Sequence, residues 1–236
     1  LYAAIRDVLE HWVAHGVTLF RVDNPHTKPV RFWEELLAEF AQTHPEVIFL
    51  AEAFTRPTMM HTLGKVGYHQ SYTYFTWRES AEELQEYLEE LVEAAPYMRP
   101  SFWPTTHDIL TPYMSSGGRR AFVLRAILAA TLVPTWGIYS GYELVEDVPR
   151  PGAQEQIDNE KYEYKPRDYA GALTRGESLE PLLGTLNRIR REHPALQTLT
   201  TIRFHEADDP QVLVFSKHLD ADASGTGRPD TVLVVS

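Results

Sequence analysis

Three acidic residues each follow a stretch of sequence that predicts a buried β-strand. The pairs of strand and acid are residues 17–22 with Asp23, 47–50 with Glu52, and 101–105 with Asp108. The carboxyl ends of parallel strands lie at one rim of a sheet or barrel, so we expect the three side chains to lie at the same rim. Two carboxyl groups about 5 Å apart can break a glycosidic bond with retention: one attacks the anomeric carbon and the other protonates the leaving oxygen.

Basic residues stand beside two of these acids. Arg21 lies two residues before Asp23, and side chains two apart on a strand point to the same face. We therefore expect Arg21 to hold Asp23 ionised and to lower its pKa. His107 directly precedes Asp108. For any one acid alone we favour a structural role, as a helix N-cap or an ion-pair partner. Three acids at one rim, beside Arg and His, favour catalysis.

Four short motifs, in this order, resemble glycoside hydrolase family 13, the α-amylase family. They are Gly16…Arg21-Val-Asp23, Ala51-Glu52-Ala-Phe54, His107-Asp108 and Pro134…Tyr139-Ser-Gly141-Tyr-Glu143. Within that family, residues 21–29, 138–144, 160–162 and 166–168 resemble the maltosyltransferases that use maltose 1-phosphate. The resemblance covers essentially the whole chain. It implies an α/β fold: the C-terminal half of a (β/α)8 TIM barrel, followed by the start of an antiparallel β-sandwich domain.

The resemblance also implies a role for each matching residue. Asp23 would be the nucleophile, Glu52 the general acid/base, and Asp108 the group that stabilises the transition state. Substrate-binding roles fall to five residues. Arg21 would support Asp23, Asn24 would meet the donor phosphate, His107 would bind sugar, and Lys161 and Tyr162 would contact a donor glucose.

The implied activity moves maltosyl units from α-maltose 1-phosphate to the non-reducing end of an α-1,4-glucan, through a covalent glycosyl-Asp intermediate. The donor and the glucan would be its partners, and the full-length protein would be a homodimer. An α-amylase-type hydrolase or a trehalose synthase-like isomerase of the same family is the alternative. A non-catalytic glucan-binding protein on a decayed barrel is a third hypothesis, disfavoured because all three acids are present.

Strands and helices alternate through most of the chain, which is typical of parallel α/β folds. Apolar periodicity predicts helices at 2–15, from 29 to about 44, and at 57–65, 80–94, 118–131 and 178–193. Short apolar runs predict strands at 17–22, 47–50, 68–74, 101–105 and 133–139. Thr27 is predicted to cap a helix, and Gly117 and Gly118 to open one. Residues 145–177 are polar and interrupt the alternation, as a functional or disordered loop does.

Beyond residue 198 the apolar period changes to two, which predicts strands at 202–205, 212–215 and 231–235 with a hairpin loop at 220–230. The predicted domains are therefore a partial barrel over residues 1–198, from about strand 4 to strand 8, and the start of a β-domain over 199–236. Because the chain starts within a predicted helix and ends within a predicted strand, we expect a fragment of a longer protein.

Composition narrows the function classes. The 236 residues carry a net charge of −11, which disfavours nucleic acid and anionic lipid as partners. There are no cysteines, so disulfides and thiolate metal sites are excluded and a reducing cytoplasm fits. No apolar run approaches the ~18 residues of a membrane-spanning helix. The histidines show no metal-ligand spacing and no glycine-rich phosphate loop is present, so we predict no metal and no cofactor.

Overall fold

The computed structural model describes residues 1–158 and 164–236, which form two compact units. One unit comprises Leu1–Tyr74 and Glu90–Ser101, and the other comprises Phe75–Glu89 and Phe102–Ser236. The helices are α1 Tyr2–Ala14, α2 Val30–Thr43, α3 Pro57–Lys65, α4 Ala81–Ala94, α5 Pro112–Leu132, α6 Tyr169–Thr174 and α7 Glu180–Glu192. The strands are β1 Leu19–Asp23, β2 Ile48–Glu52, β3 Gln70–Tyr72, β4 Pro100–Phe102, β5 Thr135–Trp136, β6 Ile202–His205, β7 Val214–Leu219 and β8 Asp230–Val235.

The first unit is built from βα repeats. β1 pairs in parallel with β2, β2 with β3, and β3 with the start of β4. Helix α2 packs against the sheet through one buried face, because its apolar residues recur at helical spacing. These residues are Trp33, Leu36, Leu37 and Phe40. That face shares a core with Phe49 and Ala51 of β2. The parallel strands therefore end at one edge, where Asp23 and Glu52 are the last residues of β1 and β2.

The second unit contains a helical layer and a separate antiparallel sheet. Apolar residues of α5 and α7 share one core, which includes Phe122, Ala126 and Leu183. The carbonyl of Phe102, the last residue of β4, accepts a hydrogen bond of 3.0 Å from the N–H of Gly137, just after β5. Farther along the chain, β7 is the central strand of a three-stranded sheet and pairs antiparallel with both β6 and β8.

One of two sequence predictions about helix starts is wrong. Thr27 does not cap α2: its hydroxyl donates to the carbonyl of Asn24 at 2.8 Å, and Pro29 stands at the start of the helix. The prediction that Gly117–Gly118 opens a helix agrees with the structure, because α5 consists of two helical segments that meet at Gly118, and the second segment begins directly after it. Gly118 has φ 52° and ψ −147°, which are not helical angles, so it forms a kink between the two helical segments of α5.

The predicted elements otherwise differ mainly in length. The strand predicted at 133–139 is reduced to the two residues of β5, and the segment 145–177 contains a short helix, α6. The carboxylate of Asp168 caps α6 by accepting a hydrogen bond of 2.9 Å from the N–H of Gly171. Among the described residues, the structure has no helix both long enough and apolar enough to cross a bilayer. The predicted boundary between residues 198 and 199 stays a prediction.

Candidate active site

Asp23 and Glu52 stand side by side at the ends of two paired strands. They are register partners, the last such pair of the parallel β1–β2 ladder. Neighbouring strands lie about 4.8 Å apart, which brings the two side chains within reach of one group. The Glu52 side chain is 6% exposed and that of Asp23 is 63% exposed. The pair thus offers one sheltered carboxyl group and one open to an incoming ligand.

Arg21 contacts both carboxyl groups. Its Nη2 lies 2.7 Å from Oε1 of Glu52, and its Nη1 lies 3.7 Å from Oδ2 of Asp23. Its guanidinium carbon also lies 5.8 Å from the ring centre of Tyr72. Burial opposes the charge of Arg21, but Glu52, Tyr72 and Asp23 together outweigh it and raise the pKa of Arg21 above its usual value. The sequence predicts Asp23 as the partner of Arg21, and the structure adds a shorter ion pair with Glu52.

Asn24 begins a tight turn directly after the nucleophile candidate. Its φ is 45°, in the left-handed region that asparagine tolerates better than most residues. Its N–H donates to the carbonyl of Glu52 at 3.0 Å, so the turn continues the hydrogen bonding between β1 and β2. The next residue, Pro25, is buried, and its carbonyl accepts a 2.7 Å hydrogen bond from the indole of Trp33. Helix α2 therefore anchors the turn that carries Asn24.

Asp108 and His107 lie in the second unit, on the loop after β4. His107 Nε2 is 3.0 Å from Oδ2 of Asp108, and the two side chains are 20% and 35% exposed. The loop is held by the side chain of Thr106, a buried residue that is 1% exposed. The Oγ1 atom of Thr106 accepts hydrogen bonds from the N–H groups of Asp108 and Ile109, at 3.1 and 2.9 Å. This turn fixes the backbone that carries the Asp108 carboxylate.

An ion cluster that sequence reasoning missed lies in the same unit. Glu146 accepts hydrogen bonds from Arg167 at 2.8 and 3.0 Å and pairs with Lys165 at 3.3 Å. Burial would raise the pKa of Glu146, but the hydrogen bond and charge of Arg167 and the charge of Lys165 lower it overall. Gly141 makes room for the cluster: a Cβ there would lie 2.2 Å from Oε2 of Glu146. In the sequence, Gly141 within the Tyr139–Glu143 motif is a feature that could have indicated a close contact here.

The cluster and the Asp108 loop are joined by aromatic contacts. The guanidinium of Arg167 lies 6.0 Å from the ring centre of Tyr139, and that ring lies 6.2 Å from the ring of His107. The two remaining predicted binding residues, Lys161 and Tyr162, lie outside the described residues. The predicted site residues that are described thus fall into two groups: Arg21, Asp23, Asn24 and Glu52 in the first unit, and His107 and Asp108 in the second.

Comparison with known proteins identifies close relatives in sequence. No family model matches the chain. It is 58% identical over all 236 residues to an α-1,4-glucan:maltose-1-phosphate maltosyltransferase of Arcanobacterium haemolyticum, of which it covers 34%. It is also 58% identical, over 91% of its length, to maltosyltransferase 2 of Streptomyces coelicolor, of which it covers 32%. The chain therefore spans about a third of the length of the curated relatives that it matches.

Solved structures show where the fold occurs. An α-amylase from H. orenii matches 93% of this chain and 52% of its own, with a TM-score of 0.71 and 16% identity. A cyclic α-maltosyl-(1→6)-maltose hydrolase from Arthrobacter globiformis matches 99% of this chain and 57% of its own, with a TM-score of 0.70 and 17% identity. The predicted fold, part of an α-amylase-type TIM barrel followed by antiparallel strands, is confirmed. So is the predicted resemblance to the maltosyltransferases of that family.

Proposed function

We propose that this protein transfers maltosyl units from α-maltose 1-phosphate to the non-reducing end of an α-1,4-glucan, as a retaining glycosyltransferase. The observation that carries the proposal is 58% identity over the whole chain to a relative of that name. The geometry supports it chemically. A retaining reaction uses two neighbouring carboxyl groups, and here Asp23 and Glu52 are register partners on paired strands that both contact Arg21.

The first half of the reaction breaks the bond between the sugar and phosphate. The Asp23 carboxylate attacks the anomeric carbon and forms a glycosyl ester. The bond from that carbon to the phosphate oxygen breaks, and its electron pair leaves with the phosphate. Glu52 supplies a proton to this oxygen. Asp23 is the more exposed of the two carboxyl groups, which suits a nucleophile that must reach the donor sugar.

The second half transfers the sugar. The acceptor 4-hydroxyl attacks the anomeric carbon, Glu52 takes its proton, and the bond to Asp23 breaks with its electron pair returning to the carboxylate. Two inversions at one carbon give net retention. Asp108 stabilises the positive charge of both transition states, and Arg21 orients Asp23 and Glu52 between the two steps.

Further assignments belong to the same proposal. Asn24 meets the donor phosphate, His107 binds sugar, and Lys161 and Tyr162 contact a donor glucose. A homodimeric state and a cytoplasmic location are part of the proposal, the latter in keeping with the lack of cysteine.

The test is the balance of products made by the full-length protein from maltose 1-phosphate and a short α-1,4-glucan. We expect one phosphate released for each maltosyl unit added, with glucans growing by two glucose units and no free maltose. Free maltose would instead identify a hydrolase, and trehalose formed when maltose alone is supplied would identify an isomerase. Glucan binding without turnover would identify a non-catalytic protein. An Asp23→Asn variant from the same preparation controls for contaminating phosphatase.

A further inference from the structure

The loop that carries Asp108 is clamped by a hairpin of the long polar segment. Residues 149–156 fold back on themselves, with Pro149 opposite Gln156, and the N–H of Arg150 donates to the carbonyl of Glu155 at 2.8 Å. We call these residues the 149–156 hairpin. Its second arm runs antiparallel to the Asp108 loop, with Ile109 opposite Glu155. A polar segment is thereby tied to a candidate catalytic loop.

Backbone hydrogen bonds join the hairpin and the loop on both sides of Ile109. The N–H of Leu110 donates to the carbonyl of Gln154, and the N–H of Gln156 donates to the carbonyl of Asp108, both at 3.0 Å. The indole of Trp77 donates to Oε1 of Gln154 at 3.2 Å, which ties the hairpin to the 3₁₀ turn Tyr74–Trp77. These contacts fix the position of the Asp108 loop relative to the hairpin. The conformation of the turn at Thr106 depends on side-chain contacts.

Gln156 supplies that side-chain contact. Its amide nitrogen lies 3.3 Å from the carbonyl oxygen of Thr106, and a carbonyl can only accept, so the amide donates. Thr106 is the residue whose Oγ1 receives the N–H groups of Asp108 and Ile109. Gln156 is 7% exposed and Thr106 is 1% exposed, so water is a poor substitute for this bond.

We propose that Gln156 is a positioning residue for Asp108, acting through the Thr106 carbonyl and the Thr106 turn. The inference rests on the proposed function, because it takes Asp108 as the group that stabilises the transition state. A buried carbonyl left without its donor costs free energy, and the turn relaxes to recover a partner. The Asp108 carboxylate then moves away from the position that the developing charge requires. A displacement of about 1 Å at such a group costs up to about a hundredfold in rate.

The loss is expected in kcat rather than in KM, because Asp108 acts on charge that develops only in the transition state. In the full-length protein, Gln156→Met keeps the side-chain volume and removes the donor. We expect kcat for phosphate release to fall about tenfold or more, with the KM for maltose 1-phosphate changed less than threefold. Gln197→Met is the control for the bond type, since that amide also donates to a backbone carbonyl, that of Arg190, at 2.6 Å, from an exposed position. It should leave kcat unchanged.

A second variant separates positioning from a loss of stability. Gln156→Glu has the same shape but donates to Thr106 only when protonated. Its kcat, relative to that of the unsubstituted protein, should therefore recover as pH falls from 8 towards 5, whereas the Gln156→Met ratio should stay constant. Melting temperatures of all variants are measured alongside.

The outcomes are distinct. An unchanged kcat for Gln156→Met overturns the inference, and so does an equal fall in Gln197→Met. A Gln156→Glu ratio that stays flat with pH overturns the route through Thr106. If the unsubstituted protein releases no phosphate, the proposed function fails, and this inference fails with it. If Gln156→Glu does not fold, Gln156→Met against Gln197→Met decides.

Discussion

Arg21 is the residue at which the two strand-end carboxyl groups meet. It carries its charge on a planar fork, so one side chain reaches Glu52 at 2.7 Å and Asp23 at 3.7 Å from different nitrogens. A lysine at this position has one compact ammonium group in place of the planar fork, so it cannot reach the two acids from separate nitrogens. Arg21 therefore holds in place two groups that must act in turn on the same carbon atom.

Replacing the Arg21 guanidinium tests its importance for the reaction. In the full-length protein we expect Arg21→Lys to lower kcat/KM for maltose 1-phosphate about a hundredfold, which corresponds to about 2.7 kcal/mol of transition-state stabilisation. Arg31→Lys is the control, because Arg31 pairs with Glu35 at 2.7 Å in an exposed pair on α2. A rate for Arg21→Lys equal to that of the control would remove Arg21 from the reaction.

The two carboxyl groups have different predicted roles, which a trapped intermediate distinguishes. With a fluorinated maltosyl donor, whose leaving group needs no acid, Glu52→Ala should accumulate a covalent adduct on Asp23 and then stall for lack of a base. Asp23→Ala should form no adduct. Peptide mass spectrometry locates the label, and a label on Glu52 in the unsubstituted protein would reverse the two assignments.

Only part of this residue-scale arrangement follows from the sequence. The strand-end positions of Asp23 and Glu52 were predictable, because two short apolar runs end at these acids. The Arg21–Asp23 contact was predictable from spacing, since residues two apart on a strand share a face. The shorter Arg21–Glu52 contact depends on which strands pair and in which register, and a local pattern carries neither. The partners of Glu146 were unpredictable for the same reason.

At the scale of elements, helix α5 shows how one residue shapes a long segment. Gly118 lies between the two helical segments of α5 with φ 52° and ψ −147°, a conformation essentially closed to residues with a Cβ. A Cβ there would meet only Asp147 Oδ2, at 3.7 Å. The cost of a substitution is therefore backbone strain rather than collision. The sequence predicts that the glycine pair opens a helix, and this agrees with the helical segment that begins after Gly118.

That distinction gives a stability prediction. Gly118→Ala should lower the free energy of unfolding by about 1–3 kcal/mol, since alanine must adopt a strained conformation or straighten the helix. Gly184→Ala is the control within α7, where a Cβ would have nothing within 4 Å. It should raise the free energy of unfolding by about 0.5–1 kcal/mol, because alanine is the better helix former. Urea unfolding of both variants checks the opposite signs.

The elements that sequence predicted well are those with long apolar stripes. Helix α2 runs from Val30 to Thr43 with four buried residues at helical spacing, and a stripe of that length fixes both type and extent. Strand β5 and helix α6 were harder, because they contain two and six residues. Elements so short are set by their neighbours and their caps, such as Asp168 on α6, rather than by periodicity.

At the scale of the whole molecule, one buried charge stands out in the three-stranded sheet. Lys217 of β7 has no exposed surface, and its Nζ donates to the carbonyl of Thr198 at 2.7 Å. Burial, helped by the charge of Arg190, lowers the pKa of Lys217 to about 7. The unfolded chain exposes this amine, where its pKa returns to 10.5. Folding therefore releases a proton over this range of pH.

The sign of the pH dependence follows. Between about pH 7 and pH 10 the unfolded chain binds more protons at Lys217 than the folded chain, so this residue makes stability rise with pH. Below pH 7 both states are protonated at Lys217, and the free-energy cost of burying its charge is constant.

Lys217→Met removes the amine at nearly constant volume. In the full-length protein we expect it to raise the free energy of unfolding at pH 7 by about 3 kcal/mol, because the lowered pKa alone corresponds to about 4 kcal/mol and the lost hydrogen bond to Thr198 offsets about 1 kcal/mol of it. The rise from pH 7 to pH 10 should flatten. Lys65→Met, at an exposed position on α3, is the control and should leave that slope unchanged. Urea unfolding at several pH values measures both effects, and an identical slope in the Lys217 and Lys65 variants would show that Lys217 keeps its ordinary pKa.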